Sequence, residues 1–329
     1  MRPALGPALR QERIVPAAAL LLVVIAFVLT PLGTGLPLTT FDVYNALQGF
    51  AQIGLLALAI GLTMIAGEFD LSVVGTYAVG GMIAVQAGQS SAVLGLLVAV
   101  AVGAAVGAVQ GALIAWLRVP SVPVTLAAYI ALLGLAYAIS GGLSVTFTNQ
   151  AATLWVDHTI AGVFSPRSLI TLAAFVLVAV VLGGTRLGAE LRAIGGDRRA
   201  SRVAGVRVER KLVLLFTTSG TLAALGGALL SFSFASANPD PGLRPLLIAA
   251  VAALLGGASL AGGRGTAAGL LAGALSVALL AQIVAVAYLP DYSTQLFYAA
   301  LLAVVVAIDS PGLRRGLERV RARTGPVGA

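Results

Sequence analysis

The sequence predicts an all-α protein that crosses a membrane about ten times. Of its 329 residues, 59% are hydrophobic and only 10% are charged, whereas soluble domains carry about 25% charged residues. The mean hydropathy is +1.02, and the apolar residues form long runs separated by short turns. Such runs predict membrane-spanning helices. The basic residues lie between these runs, where they indicate membrane topology rather than a nucleic-acid surface.

Each predicted span is an apolar run that ends at Gly, Pro or charged residues. The first run is longer than the core of a signal peptide, so we interpret it as an uncleaved span. In the fourth, Gly103, Gly107 and Gly111 recur every four residues, which places them on one helix face and permits close helix contact. The ten predicted spans cover residues 14–32, 45–66, 73–87, 93–117, 122–140, 168–182, 212–234, 246–260, 266–288 and 294–308.

The basic residues predict the orientation of these spans. Eighteen of the 20 fall on the side of the N-terminus, and that side is therefore expected to be cytoplasmic. We expect a multi-pass protein of the plasma or inner membrane with both termini in the cytoplasm and no nucleic-acid partner. The predicted parts are a cytoplasmic N-terminus (1–13), a transmembrane domain (14–311) with an outer loop (143–166) and a basic loop (185–211), and a mobile basic tail (312–329).

The basic loop, residues 185–211, contains a predicted short helix. Asp197 is suited to be its N-cap, and Gly205 supplies a stop. Ala200, Val203 and Ala204 share one helical face, which suits docking against a soluble partner. The alternative is a solvated loop that only sets the topology. The opposite face carries Arg198, Arg199 and Arg202.

Two acidic residues, Glu68 and Asp70, stand where the second and third spans meet. An ionised carboxylate at bilayer depth costs several kcal/mol, so each should be paired, hydrated or near an interface. One interpretation is a cytoplasmic turn in which Asp70 caps the helix that begins near Ser72. The other is a helix broken at Gly67 that borders a hydrated pathway.

The sequence contains no pattern typical of an enzyme or of a metal site. It has no Cys and only one His, and no nucleophile, base and orienting group occur together. The Gly-rich residues 256–265 lack the Gly-Lys-Ser/Thr ending of a phosphate loop, so we expect a tight turn between packed spans. Residues 55–73 and 246–263 look loosely alike, which suggests internal repetition. We expect solvent around His158, Asn238, Asp240 and Asp291.

Three ordered motifs resemble those of ribose-type permeases, the membrane subunits of sugar-importing ABC transporters. Residues 61–75, GLTMIAGEFDLSVVG, resemble the Gly-x-Asp-Leu-Ser-x-Gly signature of that family. The segment LRAIGGDRRASRVAGVRVERKLVLLFTTSG in and after the basic loop is similar to its Ala-x-Gly-Gly-Asn segment, and LLGGASLAGGRGTAAGLLAG to its Gly-Gly-Thr-Ser-Leu segment. Glu68-Phe69 stands where family members often have Gly-Ile, and Ala258 replaces the usual Thr.

The resemblance implies a dimeric ten-helix permease with a shared central path and no catalytic residue or bound cofactor of its own. A cytoplasmic ATPase would use ATP to drive it, and an extracytoplasmic binding protein would deliver a pentose, a hexose or a related polyol. The partner permease would be a second copy or a paralogue. The signature residues carried over are Gly67, Glu68, Asp70, Leu71 and Ser72, and the ATPase-coupling residues are Gly195, Gly196, Asp197, Arg198, Arg199, Ala200, Arg202, Val203, Ala204 and Gly205.

A different class of transporter is the main alternative from the residues alone. A proton-coupled secondary transporter would use Glu68 and Asp70 as the groups that take up and release the proton. The two hypotheses differ in the energy source, ATP or a proton gradient, and in whether an amide can replace either carboxylate.

Overall fold

The computed structural model describes the chain from residue 7 to residue 309, and its side chains from residue 14 to residue 303. Most of this part is helical, as the sequence predicts, and it contains one two-stranded sheet. The elements are α1 (Pro7–Thr34), α2 (Thr40–Ile65), α3 (Val73–Gly88), α4 (Ala92–Leu117), α5 (Ser121–Ser140), β1 (Val145–Thr146), α6 (Gln150–Val156), α7 (Pro166–Gly184), α8 (Arg186–Gly196), α9 (Arg198–Val203), α10 (Val208–Ser233), β2 (Ser236–Ala237), α11 (Arg244–Leu255), α12 (Ala267–Val286) and α13 (Asp291–Asp309).

Seven helices within residues 7–309 are long and apolar enough to cross a membrane: α1, α2, α4, α5, α7, α10 and α12. Two more apolar helices, α3 and α11, are shorter. The predicted count of about ten spans is therefore not confirmed. Helix α1 begins at Pro7, within the predicted N-terminal segment, and its membrane-spanning part begins at Ile14. The predicted tail, 312–329, lies outside the described residues.

Helix α2 lies at the centre of the bundle. In its most apolar stretch, 83% of the residues are buried within the protein. The helix packs against α7, α10, α11 and α12. The corresponding stretches of α1, α4 and α5 are only 11%, 22% and 17% buried. Their apolar side chains face outward, for example Leu22, Val93 and Trp116. This distribution is the one expected where lipid, rather than water, covers the outside.

Small residues bring α4 and α10 into backbone contact. A Cβ atom added at Gly107 would lie 2.0 Å from the carbonyl oxygen of Phe216, and one added at Gly103 would lie 2.4 Å from that of Gly220. At Gly111 the nearest atom would be the Cα of Val213 at 2.7 Å. The predicted glycine face is thus the face that meets another helix, and close packing of this kind stabilises helix pairs in lipid.

The bundle has two ends with different contents. At one end lie the α2–α3 loop, the basic loop and the α11–α12 loop, and we call it the loop end. At the other end, the strands β1 and β2 pair antiparallel. The two strands lie far apart in the sequence, and we use the name hairpin end only as a label for this end of the bundle. Residues 143–166, expected to be an outer loop, contain β1 and the short helix α6. The sequence did not indicate these elements, because a two-residue strand and a seven-residue helix are too short to show a periodic pattern.

The α2–α3 and α11–α12 loops begin with the same turn. Gly67 N donates to the Met64 carbonyl and Glu68 N to that of Thr63, each at 2.9 Å. Gly257 N donates to Leu254 at 2.9 Å and Ala258 N to Ala253 at 3.1 Å, in the same pattern. Gly67 and Gly257 have positive φ angles of +75° and +82°. This left-handed conformation is the one that a glycine commonly adopts just after the end of an α-helix. The loose likeness of residues 55–73 and 246–263 thus has a structural counterpart.

Candidate functional site

Three glycines from the three motifs meet at the loop end. We call this contact of Gly67, Gly195 and Gly262 the glycine junction. A Cβ added at Gly262 would lie 2.6 Å from both the carbonyl oxygen of Gly195 and the Cα of Gly67. A Cβ added at Gly195 would lie 2.1 Å from the carbonyl oxygen of Ile65, which accepts a 2.9 Å hydrogen bond from Gly263 N. The signature loop, the basic loop and the Gly-rich turn are therefore in backbone contact.

The basic loop folds into two helices. The predicted short helix is present as α9: the Asp197 side chain accepts hydrogen bonds from Arg199 N at 2.8 Å and Ala200 N at 2.9 Å, and Gly205 follows with a φ of +84°. The preceding α8 was not predicted. Its hydrophobic stripe consists of Gly188, Leu191 and Ile194, which are buried against the bundle, and it is easily missed among the flanking charges.

The two faces of α9 differ in exposure. Val203 is 90% exposed, and Ala200 and Ala204 beside it are exposed as well. Ser201 faces the bundle instead and is buried; its hydroxyl donates to the Asp197 carbonyl at 2.8 Å. The apolar face singled out in the sequence is thus available to a partner, and nothing within the described chain covers Val203.

Arg198 joins α9 to the signature loop. Its guanidinium forms an ion pair with the carboxylate of Glu68. Glu68 is only 6% exposed. The sequence places Arg198 on the same helical face as Arg199 and Arg202; in the structure Arg198 is half-buried, whereas the other two are exposed. Burial first, and Arg202 second, lower the pKa of Arg198, whereas Glu209 raises it. The guanidinium nevertheless stays charged, so it supplies the partner that a buried Glu68 requires.

Asp70 is 2% exposed and forms the centre of a buried polar cluster. Its Oδ1 accepts from Ser72 N at 3.0 Å and from Ser72 Oγ at 2.6 Å, and its Oδ2 accepts from Ser219 Oγ of α10 at 2.8 Å. The Gln110 side-chain amide of α4 lies 2.7 Å from Ser72 Oγ. Since the hydroxyl has one proton, which Asp70 accepts, the amide must offer its NH2 group there.

The cluster corrects the expected role of Asp70 in detail. The N-cap of α3 is Ser72, and Asp70 lies two residues earlier, holding the Ser72 amide. What the sequence could not indicate is the bond to Ser219, because nothing in a single sequence pairs two residues so far apart. Leu71 is half-buried and packs against the hydrophobic core. Gly196 has no atom within 4 Å of an added Cβ, so this position, unlike Gly195, has room for a side chain.

A cavity of about 530 Å³ opens beside the glycine junction. Glu68 and Arg198 line it, as do Pro120 and Ser121 at the start of α5. The Ser121 hydroxyl accepts a hydrogen bond from Phe69 N at 3.2 Å. The signature loop is therefore held from three sides: by α9 through Glu68, by α4 and α10 through Asp70, and by α5 through Phe69.

A second charge pair lies at the hairpin end; it joins the buried Arg167 to the half-buried Asp157, and the sequence did not indicate it. Arg167 of α7 is 5% exposed and pairs with Asp157 at 3.2 Å. Gln48 of α2 donates to Asp157 at 3.0 Å, and Ser233 of α10 also donates to that carboxylate. The network ties the α6–α7 segment to α2 and α10. His158 next to it is exposed, as expected.

The family model for the permease component of branched-chain amino acid transport systems matches residues 43–306. The ribose import permease protein of Escherichia coli (strain K12) is 30% identical over 281 residues, which cover 83% of this chain and 86% of that protein. The chain belongs to the ribose-type family of ABC transporter permeases. Among further relatives, the L-arabinose permease of Azospirillum brasilense is 29% identical, covering 83% of this permease and 80% of the relative.

The xylose transport permease of Escherichia coli (strain K12) is 26% identical over 374 residues and covers 91% of both chains. No solved structure matches the permease. With its apolar helices and these relatives, the permease is a multi-pass inner-membrane protein. The relatives are transport proteins rather than enzymes. One glycine from each of the three segments that resemble the family motifs meets the other two at the loop end.

Proposed function

We propose that this permease is the transmembrane subunit of an ATP-driven importer for a sugar, either a pentose, a hexose or a related polyol. It forms the translocation path in a dimer with a second copy or a paralogue. A cytoplasmic ATPase supplies the energy, an extracytoplasmic binding protein delivers the sugar, and this chain has no catalytic residue or bound cofactor. The named relatives import ribose, L-arabinose and xylose, and this chain matches most of their length.

The observation that carries the proposal is the placement of α9. It is a six-residue helix with an exposed apolar face around Val203, and its first residue, Arg198, is bonded to the signature loop through Glu68. A soluble ATPase that binds the exposed face and moves α9 would therefore also displace the α2–α3 loop. The ion pair and the glycine junction connect α9 rigidly to the α2–α3 loop, because close-packed backbone transmits a displacement rather than absorbing it.

The clustering of basic residues supports a cytoplasmic loop end, with both termini on the same side. In that orientation α9 faces the compartment that contains ATP, and the hairpin end faces the side from which a binding protein would deliver its ligand. The rival secondary transporter needs a carboxylate that gains and loses a proton in each cycle. Glu68 is paired with Arg198 and Asp70 accepts three hydrogen bonds, which favours a structural role for both.

The test replaces Val203, whose exposure means that the fold does not depend on it. Burying a carboxylate in an apolar contact without a partner is costly, so Val203→Asp should abolish sugar uptake and copurification of the ATPase while the protein still inserts. Val203→Thr keeps the shape without the charge and should retain both. Uptake and copurification that survive Val203→Asp would show that α9 is only a solvated segment.

The energy source is tested in the same cells. Uptake by the wild-type importer should stop on ATP depletion and continue in the presence of a protonophore when ATP is maintained. Uptake that persists without ATP and is lost with the protonophore would overturn the proposal in favour of the proton-coupled transporter.

A further inference from the structure

A cavity of about 550 Å³ opens at the hairpin end of the bundle, away from the glycine junction. Its walls come from α2, α3, α11, α12 and α13 and from the end of α10. The volume falls within the range of roughly 300–1,000 Å³ typical of small-molecule sites. No residue of the three family-like segments lines it, and the sequence indicates solvent around two of the residues that do, Asn238 and Asp291.

The lining contains polar groups that are not used within the protein. Gln52 of α2, Arg244 at the start of α11 and Asp291 at the start of α13 line the cavity. In the described part of the chain, none of their side chains makes a hydrogen bond or an ion pair with another residue. All three residues are exposed, so water bonds these groups until a ligand replaces it, whereas Asp157 and Arg167 in the same half of the bundle are paired with each other. Unpaired groups on a cavity wall are free to bond a ligand.

The lining also contains aromatic rings on more than one side. Tyr77 of α3 and Tyr298 of α13 are buried, and Phe234 at the end of α10 is exposed. The Tyr298 hydroxyl donates to the Val277 carbonyl at 3.2 Å, which fixes its ring. Aromatic side chains offer apolar surface of defined geometry. The cavity thus combines fixed rings with free donors and acceptors.

This combination selects a class of ligand. A sugar has vicinal hydroxyls that both donate and accept, and apolar C–H surfaces that pack on aromatic rings. A carboxylate accepts from hydroxyls, a guanidinium donates two parallel bonds, and a primary amide does both. A ligand of a single charge would meet both an attractive and a repulsive group, because the cavity carries Arg244 and Asp291 together. A zwitterion could satisfy both groups, but the named relatives import sugars, and a neutral polyhydroxylated molecule can bond both groups through its hydroxyls.

We propose that this cavity is a polyol-binding site within a single permease chain, in which Gln52, Arg244 and Asp291 bond the hydroxyls and Tyr77 and Tyr298 pack against the C–H surfaces. The inference rests on the proposed function and deepens it. It places the arriving sugar in a protomer cavity at the hairpin end before it passes toward the loop end.

The first test measures protection of an introduced thiol. The chain has no native Cys, so Thr294→Cys places a single thiol on the cavity wall, and Ser144→Cys places one at an exposed position outside it. Both variants react with a small thiol reagent in membrane vesicles. D-ribose, L-arabinose, D-xylose and D-fructose are added at about 100 mM, roughly a hundredfold above a millimolar dissociation constant. At least one sugar should slow the reaction several-fold at residue 294 and leave residue 144 unchanged.

The second test compares two isosteric substitutions. Asp291→Asn removes the charge from the cavity wall, whereas Asp240→Asn makes the same change at an exposed residue outside it, where Asp240 accepts from Tyr137. Hydrogen bonds to a charged group contribute about 1.5–3 kcal/mol, so Asp291→Asn should lower the maximal rate of sugar uptake roughly tenfold or more. Asp240→Asn should transport as the wild type does.

The outcomes separate this inference from the proposed function. If the wild type imports a sugar, yet no sugar protects residue 294 and Asp291→Asn behaves like Asp240→Asn, the cavity is not the binding site. Protection by leucine and not by sugars would make it a site for a zwitterion and overturn the inference. If a sugar protects residue 294 but the wild type imports none, the inference stands and the importer assignment falls.

Discussion

At the scale of single residues, Asp70 is held firmly in place by its neighbours. It is buried, it accepts three hydrogen bonds, and these bonds come from Ser72 and from Ser219 on a different helix. A carboxylate placed in this way acts as a fixed acceptor that holds the signature loop to α10. We expect its contribution to the fold to come from its oxygens as acceptors rather than from its charge.

We therefore expect Asp70→Asn to retain most of the uptake. The amide oxygen can accept both bonds from Ser72, and the NH2 group can donate to Ser219 Oγ once that hydroxyl turns. Asp70→Leu leaves buried donors without acceptors at about 1–3 kcal/mol each, so thermal unfolding in detergent should occur at a lower temperature and uptake should be lost. Melting curves and uptake assays measure both effects.

Loss of transport in Asp70→Asn, with an unfolding temperature equal to that of the wild type, would contradict this structural role. It would mean that the proton-carrying form of the side chain matters, as the secondary-transporter hypothesis requires. Asp70→Leu serves as the reference for a damaged fold, which keeps the two explanations apart.

At the scale of elements, the contact of α8 with the core depends on Gly195 having no side chain. A Cβ at this position would lie 2.1 Å from the Ile65 carbonyl oxygen and 2.4 Å from Gly263 N, and both are backbone atoms that cannot rotate away. The neighbouring Gly196 has nothing within 4 Å of its added Cβ. The two glycines therefore form a matched pair for substitution.

Gly195→Ala should separate α8 from the α2–α3 and α11–α12 loops and reduce uptake strongly. We expect a loss of stability of at least 1–3 kcal/mol, the usual cost of overpacking a well-packed contact. Gly196→Ala should leave stability and uptake near those of the wild type. Equal behaviour of the two variants in unfolding and transport assays would show that the glycine junction is not needed.

The elements themselves were largely predictable because long apolar runs and caps are local signals. Asp197 as an N-cap, Gly205 as a stop and the glycine face of α4 could be inferred from spacing alone. The joining of Glu68 to Arg198 could not, since helical periodicity shows which residues share a face of α9 and not which distant loop that face meets. Nor could the bond between Asp70 and Ser219, or the convergence of Gln52, Arg244 and Asp291, since all of these depend on how distant helices pack.

At the scale of the whole molecule, the two ends of the bundle should face opposite compartments. The absence of native Cys allows single introduced thiols to report sidedness. Val203 is 90% exposed at the loop end and Leu154 is 72% exposed at the hairpin end, so cysteines at these positions should react readily. Ser201, by contrast, is buried and unsuited to such labelling.

We expect Val203→Cys to react with a membrane-impermeant reagent only after the membrane is opened or in inside-out vesicles. Leu154→Cys should react in intact cells whose periplasm is accessible. Labelling of both variants from the same side would contradict the two-ended arrangement, and the reverse pattern would invert the orientation inferred from the basic residues.

The ion pair of Asp157 and Arg167 has a consequence for how the chain is made. Asp157 and Gln48 precede Arg167 in the sequence, and Ser233 follows it. When α7 leaves the ribosome, the carboxylate that neutralises its first-turn guanidinium has already been synthesised. The charge can thus be matched during insertion, before α10 exists. The hydrogen bond from Ser233 to Asp157 can form only after α10 has been synthesised. The last group added to this network is therefore a neutral hydroxyl rather than a charge.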